Sequence, residues 1–226
     1  MGDGLHGAAP TMERIKKYLT QDQPQKWLFY GDSITHGARH TCGHRDYVEL
    51  FSERLRFEMA RTMDLVVNSA ISGDNTRGLL EGFEWRVAQF KPDVVFVMIG
   101  MNDCSDGNDI SLGEFRDNLD RLTGLIGELG AIPVLQTTCP ILPNQAPDRS
   151  PNFDAFMDAV RAVAADREIP LIDHTKFWRE HSESHFFWMS NEFHPNHFGH
   201  RAFARHLFEG LGIWNPDSDS CRLYVP

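Results

Sequence analysis

The sequence predicts an α/β domain built on a five-stranded parallel sheet with helices on both faces, a three-layer α/β/α arrangement. Three observations carry that prediction. Short apolar runs alternate along the chain with stretches of helical periodicity. One of the runs, Asp93–Ile99 (DVVFVMI), is continuously apolar, as a strand covered on both faces must be. The 226 residues suffice for one sizeable core and are short for two.

The elements follow in order. Lys26–Tyr30 (KWLFY) reads as the first strand, ending at Gly31. Arg45–Ala60 reads as a helix, with Val48, Leu50, Phe51, Leu55 and Met59 at helical spacing. Asp64–Asn68 is the second strand. Thr76–Phe90 is a helix whose inner face carries Leu79, Leu80, Phe83, Val87 and Phe90, and Asp93–Ile99 is the third strand. Leu112–Leu129 is a helix closed by Gly130 at C′. Ile132–Thr137 is the fourth strand, and Phe96 and Met98 on the third belong in the core. Asn152–Arg167 is a helix with Phe153, Phe156, Val160 and Val163 on one side. Ile169–Ile172 is the fifth strand. Pro195–Leu211 is the last helix, with proline in its first turn, where a missing N–H does no harm. The whole chain, residues 1–226, reads as a single domain, with 1–25 an N-terminal helical extension and 214–226 a C-terminal tail. Two long connections stand out. Pro140–Pro151 is proline-rich and suited to lining a pocket, and Thr175–Phe193 carries the aromatics Phe186, Phe187 and Trp188, at least two of them expected in the core.

Composition narrows the function. A formal charge of −10, with no run of lysine or arginine, argues against nucleic acid and against an anionic membrane surface as partners. No apolar run reaches the length of a membrane span. The start, MGDGLHGAAPTMERIKK, lacks an apolar signal region and reads as mature chain, which with four cysteines in no zinc or redox spacing points to a cytoplasmic protein with free thiols.

In an open parallel sheet, ligands bind beyond the C-terminal ends of the strands. The chemically interesting residues lie there. The first strand ends in Gly31-Asp32-Ser33-Ile34-Thr35, the second in Asn68-Ser69-Ala70-Ile71-Ser72-Gly73-Asp74, the third in Gly100-Met101-Asn102-Asp103, and His194-Pro195-Asn196 precedes the last helix. With these four blocks in order over residues 31–196, the chain resembles the SGNH (GDSL-type) hydrolase family, especially its small lysophospholipase/thioesterase branch and its carbohydrate esterases. The resemblance implies a flavodoxin-like sheet. It also implies roles: Ser33 as nucleophile, His194 as general base, and an oxyanion hole made of the Ser33 N–H, the Gly73 N–H and the Asn102 carboxamide.

One position departs from the pattern. The family carries an aspartate three residues before the histidine, and this chain has Asn191. An amide oxygen can still accept the ring Nδ1–H and orient it, but brings no full charge to the imidazolium. Asn191 is therefore the expected orienter, with Glu192 or a backbone carbonyl as substitutes. The expected activity is hydrolysis of a small-molecule carboxylic ester without metal or cofactor, the lead substrate being a short acyl group such as an O-acetyl on a sugar. A thioesterase or lysophospholipase is the second reading. A binding module on a degenerate scaffold, motivated by Asn191, is the third. The sequence leaves the oligomeric state open.

Other conspicuous residues have plainer readings. Asp32, Asp74 and Asp103 suit turns and caps better than acid catalysis. The row His36, His40, Cys42, His44 has no standard metal spacing and suits pocket lining or solvent, and His197 and His200 suit surface or packing. Cys42, Cys104 and Cys139 all follow strand ends, so they are expected near one another as small side chains, with a regulatory disulfide as the alternative.

Overall fold

The computed structural model describes residues 8–226; the first seven residues of the expected N-terminal extension lie outside it. Helix α1 (Ala8–Thr20) precedes strand β1 (Lys26–Gly31), a short helix α2 (Ser33–His36), α3 (Tyr47–Glu53), β2 (Leu65–Asn68), α4 (Thr76–Glu81), α5 (Phe83–Arg86) and β3 (Val94–Met98). Then come α6 (Leu112–Glu128), β4 (Ile132–Gln136), α7 (Ser150–Asp166), β5 (Leu171–Ile172), α8 (His174–Glu180) and α9 (His197–Leu211). Among the described residues the strands form one sheet in the order β2-β1-β3-β4-β5, every pair parallel. This is the flavodoxin-like order, whose switch point lies between β1 and β3. No described helix is long and apolar enough to cross a membrane.

The two-residue period of β1 shows how both faces are covered. Trp27 and Phe29 point to one side, where they meet Phe51 of α3 and stack on Phe96 of β3. On that side α9 packs on α3, and α1 is sealed against the body by the buried Ile15 and Leu19. Tyr30 points to the opposite side, where its hydroxyl donates to the Leu79 carbonyl of α4 at 2.6 Å, and where α4, α6 and α7 pack. β3 and β4 are buried along their whole length, as the continuous apolar run of β3 requires. Phe96 and Met98 are both core residues.

Several elements differ from the sequence expectation. The expected helix over 45–60 is α3 followed by a π-helical stretch at Arg54–Glu58, where Arg54 turns inward and donates to the Ile213 carbonyl at 2.8 Å. The helix expected over 76–90 breaks at Gly82 because the Arg86 side chain folds back across that glycine; Phe90, expected on its inner face, is exposed. The last helix starts two residues late. Asn196 is its N-cap, accepting from the N–H groups of Phe198 and Gly199, and Pro195 stands outside. The expected loop at 175–193 contains α8, capped by Asp173, and a 3₁₀ turn at His185–Trp188. Of the cluster Phe186, Phe187 and Trp188 only Trp188 is core, while Phe186 and Phe187 are 73% and 61% exposed. The tail packs back on the body through Leu223 and Val225, and the Trp188 indole donates to the Pro226 carbonyl at 2.7 Å.

Candidate active site

β1 delivers Ser33 to the C-terminal edge of the sheet through a turn that tolerates no side chain at Gly31. A Cβ there would stand 2.3 Å from the Met98 carbonyl of the neighbouring strand. Asp32 then caps α2, its carboxylate accepting the Ile34 N–H at 2.9 Å. Ser33 is the first residue of that helix, so its own N–H has no intrahelical acceptor. Asp32 is the turn residue expected from the sequence. Its complete burial, reinforced by the carboxylates of Asp103 and Asp74, pushes its carboxyl up to about 7.

His194 meets Ser33 from the far end of the chain. Its Nε2 lies 2.8 Å from Ser33 Oγ, and its Nδ1 lies 3.1 Å from Asn191 Oδ1. The same Oδ1 accepts the N–H groups of His194 at 2.8 Å and Phe193 at 3.1 Å. The two backbone donors fix which end of the carboxamide faces inward, because an NH2 in that place would oppose both. The ring proton therefore sits on Nδ1, and the Nε2 lone pair faces the serine hydroxyl.

The loop carrying the histidine is clamped. The Ser190 N–H donates to the His194 carbonyl at 2.8 Å, and the Asn196 side chain donates to the carbonyls of Phe187 and Met189. The Glu192 carbonyl accepts the Leu142 N–H at 2.9 Å, joining this loop to the proline-rich one, and the Glu192 carboxylate acts electrostatically on His40. The His40 ring stacks on His194, centroids 3.8 Å apart and 7° from parallel. Burial first, then the charges of His40 and Arg149, lowers the His194 imidazole to about 4. It is neutral at pH 7, ready to accept a proton.

The loop after β2 brings Gly73, which takes a left-handed φ of 87° with open space around it. Arg86 braces this loop. It pairs with Asp74, donates to the Ser69 carbonyl at 3.0 Å, and lies over the Tyr30 ring. Asp74 is thus an ion-pair partner and not a cap. His36 Nδ1 lies 3.0 Å from Ser72 Oγ, tying the nucleophile turn to the same loop. From the loop after β3, the Asn102 carboxamide donates to the Asp74 carbonyl at 2.7 Å, using one of its two N–H bonds. Asp103 accepts both the N–H and the hydroxyl of Thr76, holding the first turn of α4.

The structure thus brings Ser33, His194 and Asn191 into one hydrogen-bonded row, and ties the loops of Gly73 and Asn102 together beside it. Among the described residues no three His, Cys, Asp or Glu side chains converge as a metal would require. His44 stacks on His197, and His200 is buried and accepts the Tyr47 N–H. Cys42 is exposed, Cys104 and Cys139 are buried beside different carbonyls, and all four thiols are free. Burial pushes the thiols of Cys104 and Cys139 up to about 12. Sequence reasoning missed Arg149, whose guanidinium donates to Asn102 Oδ1 and to the Met101 carbonyl, and Arg86. The available signal was position: Arg149 lies in a loop following a strand end.

Comparisons with known proteins agree with this fold. The model of the GDSL-like lipase/acylhydrolase family matches residues 29–202. An arylesterase of Vibrio mimicus is 28% identical over 174 residues, covering 76% of this chain and 80% of that protein. An uncharacterized protein of Mycoplasma pneumoniae is 33% identical over 118 residues, 50% of this chain, which spans only 13% of that relative's length. Among solved structures, the acetylxylan esterase Axe2 of Geobacillus stearothermophilus superposes with a TM-score of 0.71 at 27% identity, covering 83% of this chain and 94% of that one.

Proposed function

The chain belongs to the GDSL-like lipase/acylhydrolase family and is an esterase, and from that premise we propose that it hydrolyses short-chain carboxylic esters through an acyl intermediate on Ser33. The observation that carries this reading is the 2.8 Å contact between Ser33 Oγ and His194 Nε2, with Asn191 on the opposite ring nitrogen.

The cycle runs as follows. Ser33 Oγ attacks the acyl carbon while its proton passes to His194 Nε2. The developing oxyanion is held by the N–H groups of Ser33 and Gly73 and by the second N–H of Asn102, fixed dipoles that need no reorganisation. The bond to the alkoxide breaks as His194 returns the proton to it, leaving acyl-Ser33. A water then loses its proton to His194 and attacks the acyl carbon; the serine oxygen leaves, recovers that proton, and a carboxylic acid departs. Asn191 holds the ring in the required tautomer throughout, without the charge that an aspartate would add.

An O-acetyl group on a carbohydrate is the proposed substrate class, supported by the likeness to an acetylxylan esterase. The test is p-nitrophenyl acetate hydrolysis by wild type and Ser33→Ala. Loss of about 10³-fold or more in the variant is expected for a nucleophile. Equal rates would leave the chain as a binding module on this scaffold. A series of acyl lengths decides the rest: acetyl outperforming octanoyl is expected, and the reverse order would favour a lysophospholipase.

A further inference from the structure

Arg149 stands at the start of α7, outside every block that identifies the family, yet it touches both sides of the site. Its Nη1 donates to Asn102 Oδ1 at 3.2 Å and to the Met101 carbonyl at 3.3 Å, and its Nε donates to Asp148 at 3.1 Å. Its guanidinium carbon lies 4.2 Å from the centroid of the Phe193 ring, which in turn packs on His194 at 4.6 Å. The side chain is only 15% exposed, whereas its one carboxylate partner, Asp148, is 47% exposed and shared with Ser105. This largely buried cation thus shares its carboxylate partner with Ser105 and also donates to the loop that carries Asn102.

We propose that Arg149 is a positioning residue that fixes the Asn102 carboxamide and polarises it as an oxyanion donor. This rests on Asn102 acting as proposed above. An amide whose oxygen accepts from a cation carries more positive charge on its NH2, and bonds with an ionised partner are roughly twice as strong as neutral ones. The geometry permits little else. Asn102 Oδ1 accepts from Arg149, one Nδ2 hydrogen goes to the Asp74 carbonyl, and the second hydrogen is left to the substrate oxygen. Stacking on Phe193 holds the guanidinium in the place from which it reaches Asn102.

The test is a double-mutant cycle between Arg149→Met and Asn102→Ala, read as kcat and KM for p-nitrophenyl acetate. Asn102→Ala is expected to lower kcat by about 10²-fold or more. Arg149→Met is expected to lower kcat by about 10- to 100-fold with KM within about threefold, since it weakens a contact made in the transition state. The double variant is expected to be no worse than Asn102→Ala alone. Arg149→Lys retains the charge without the planar fork, and is expected to recover part of kcat. A change that merely loosened the loop would not show that recovery or spare KM. If Arg149→Met fails to fold, the cycle with Arg149→Lys carries the test. Losses that multiply, or wild-type kcat in a folded Arg149→Met, overturn the proposal while leaving the esterase reading intact. Wild-type kcat in Asn102→Ala overturns the proposal together with the oxyanion role of Asn102 on which it rests, while the esterase reading stands.

Discussion

The Oδ1 of Asn191 lies 3.1 Å from the ring Nδ1 of His194 and 2.8 Å from its backbone nitrogen, so a neutral side chain holds the histidine in both orientation and tautomer. In a triad of the usual kind that atom would belong to a carboxylate. Here the base is steered by geometry while burial and the nearby cations keep it at about 4.

The pH dependence follows from that value. The base works only when unprotonated, so activity is lost as pH falls through the imidazole's own value and is flat above it. For the wild type, kcat/KM for p-nitrophenyl acetate is expected to have its acid limb near pH 4 and no further histidine limb between pH 5.5 and 7, in contrast to an ordinary histidine at 6.5. A limb at 6 to 7 would show that the resting histidine is not shielded as described.

Asn191→Asp adds the missing charge in the same shape. The carboxylate favours the imidazolium, so the acid limb is expected to move up in pH and kcat to rise about tenfold or more; the reverse exchange in serine proteases costs about 10⁴. Asn191→Ala removes three accepted bonds at once and is expected to lower kcat by about 10²-fold or more, the scale of a lost general base. If Asn191→Ala is harmless and Glu192→Gln is crippling, the orienter has been misassigned.

Much of this site was legible because its residues sit where strand ends must deliver them. Ser33, Gly73 and Asn102 follow β1, β2 and β3, and the alternation of Trp27, Phe29 and Tyr30 between two helix layers is written in the apolar runs. What escaped was long-range and polar. Arg149 and Arg86 act through contacts 47 and 17 residues away, to Asn102 and Ser69, that no periodicity encodes. The break at Gly82 arises because Arg86 needs the space to reach Asp74, a tertiary demand overriding a helical pattern. The exposed Phe186 and Phe187 show the limit of counting aromatics: a short 3₁₀ turn buries one face, and Trp188 took it.

Gly31 and Gly73 make opposite demands, and alanine at each separates fold from chemistry. Gly31→Ala collides with a strand carbonyl and is expected to destabilise by about 2–3 kcal/mol. Gly73→Ala meets open space but a left-handed backbone, so a smaller cost of about 1 kcal/mol is expected together with a fall in kcat from a displaced N–H. Urea denaturation and steady-state kinetics on both variants check the pair.

Asp32 links the site to stability. Its carboxyl stands at about 7 when folded against 3.8 ordinarily, so between those values the folded protein holds a proton that the unfolded chain has released. Asp32 thus contributes a loss of stability as pH rises from about 4 to about 7. Asp32→Asn removes that contribution while keeping an acceptor for Ile34. Its melting temperature relative to wild type is expected to climb across that window, and an offset constant with pH would contradict the assignment.

The chemistry rests on a nucleophilic serine poised on a neutral histidine. Incubating folded protein with a fluorophosphonate and mapping the adduct by tandem mass spectrometry tests it most directly. One covalent adduct on Ser33, abolished in Ser33→Ala and slowed in His194→Ala, is the result expected. Folded wild type that stays unlabelled at Ser33, or labels equally well without His194, would contradict the account.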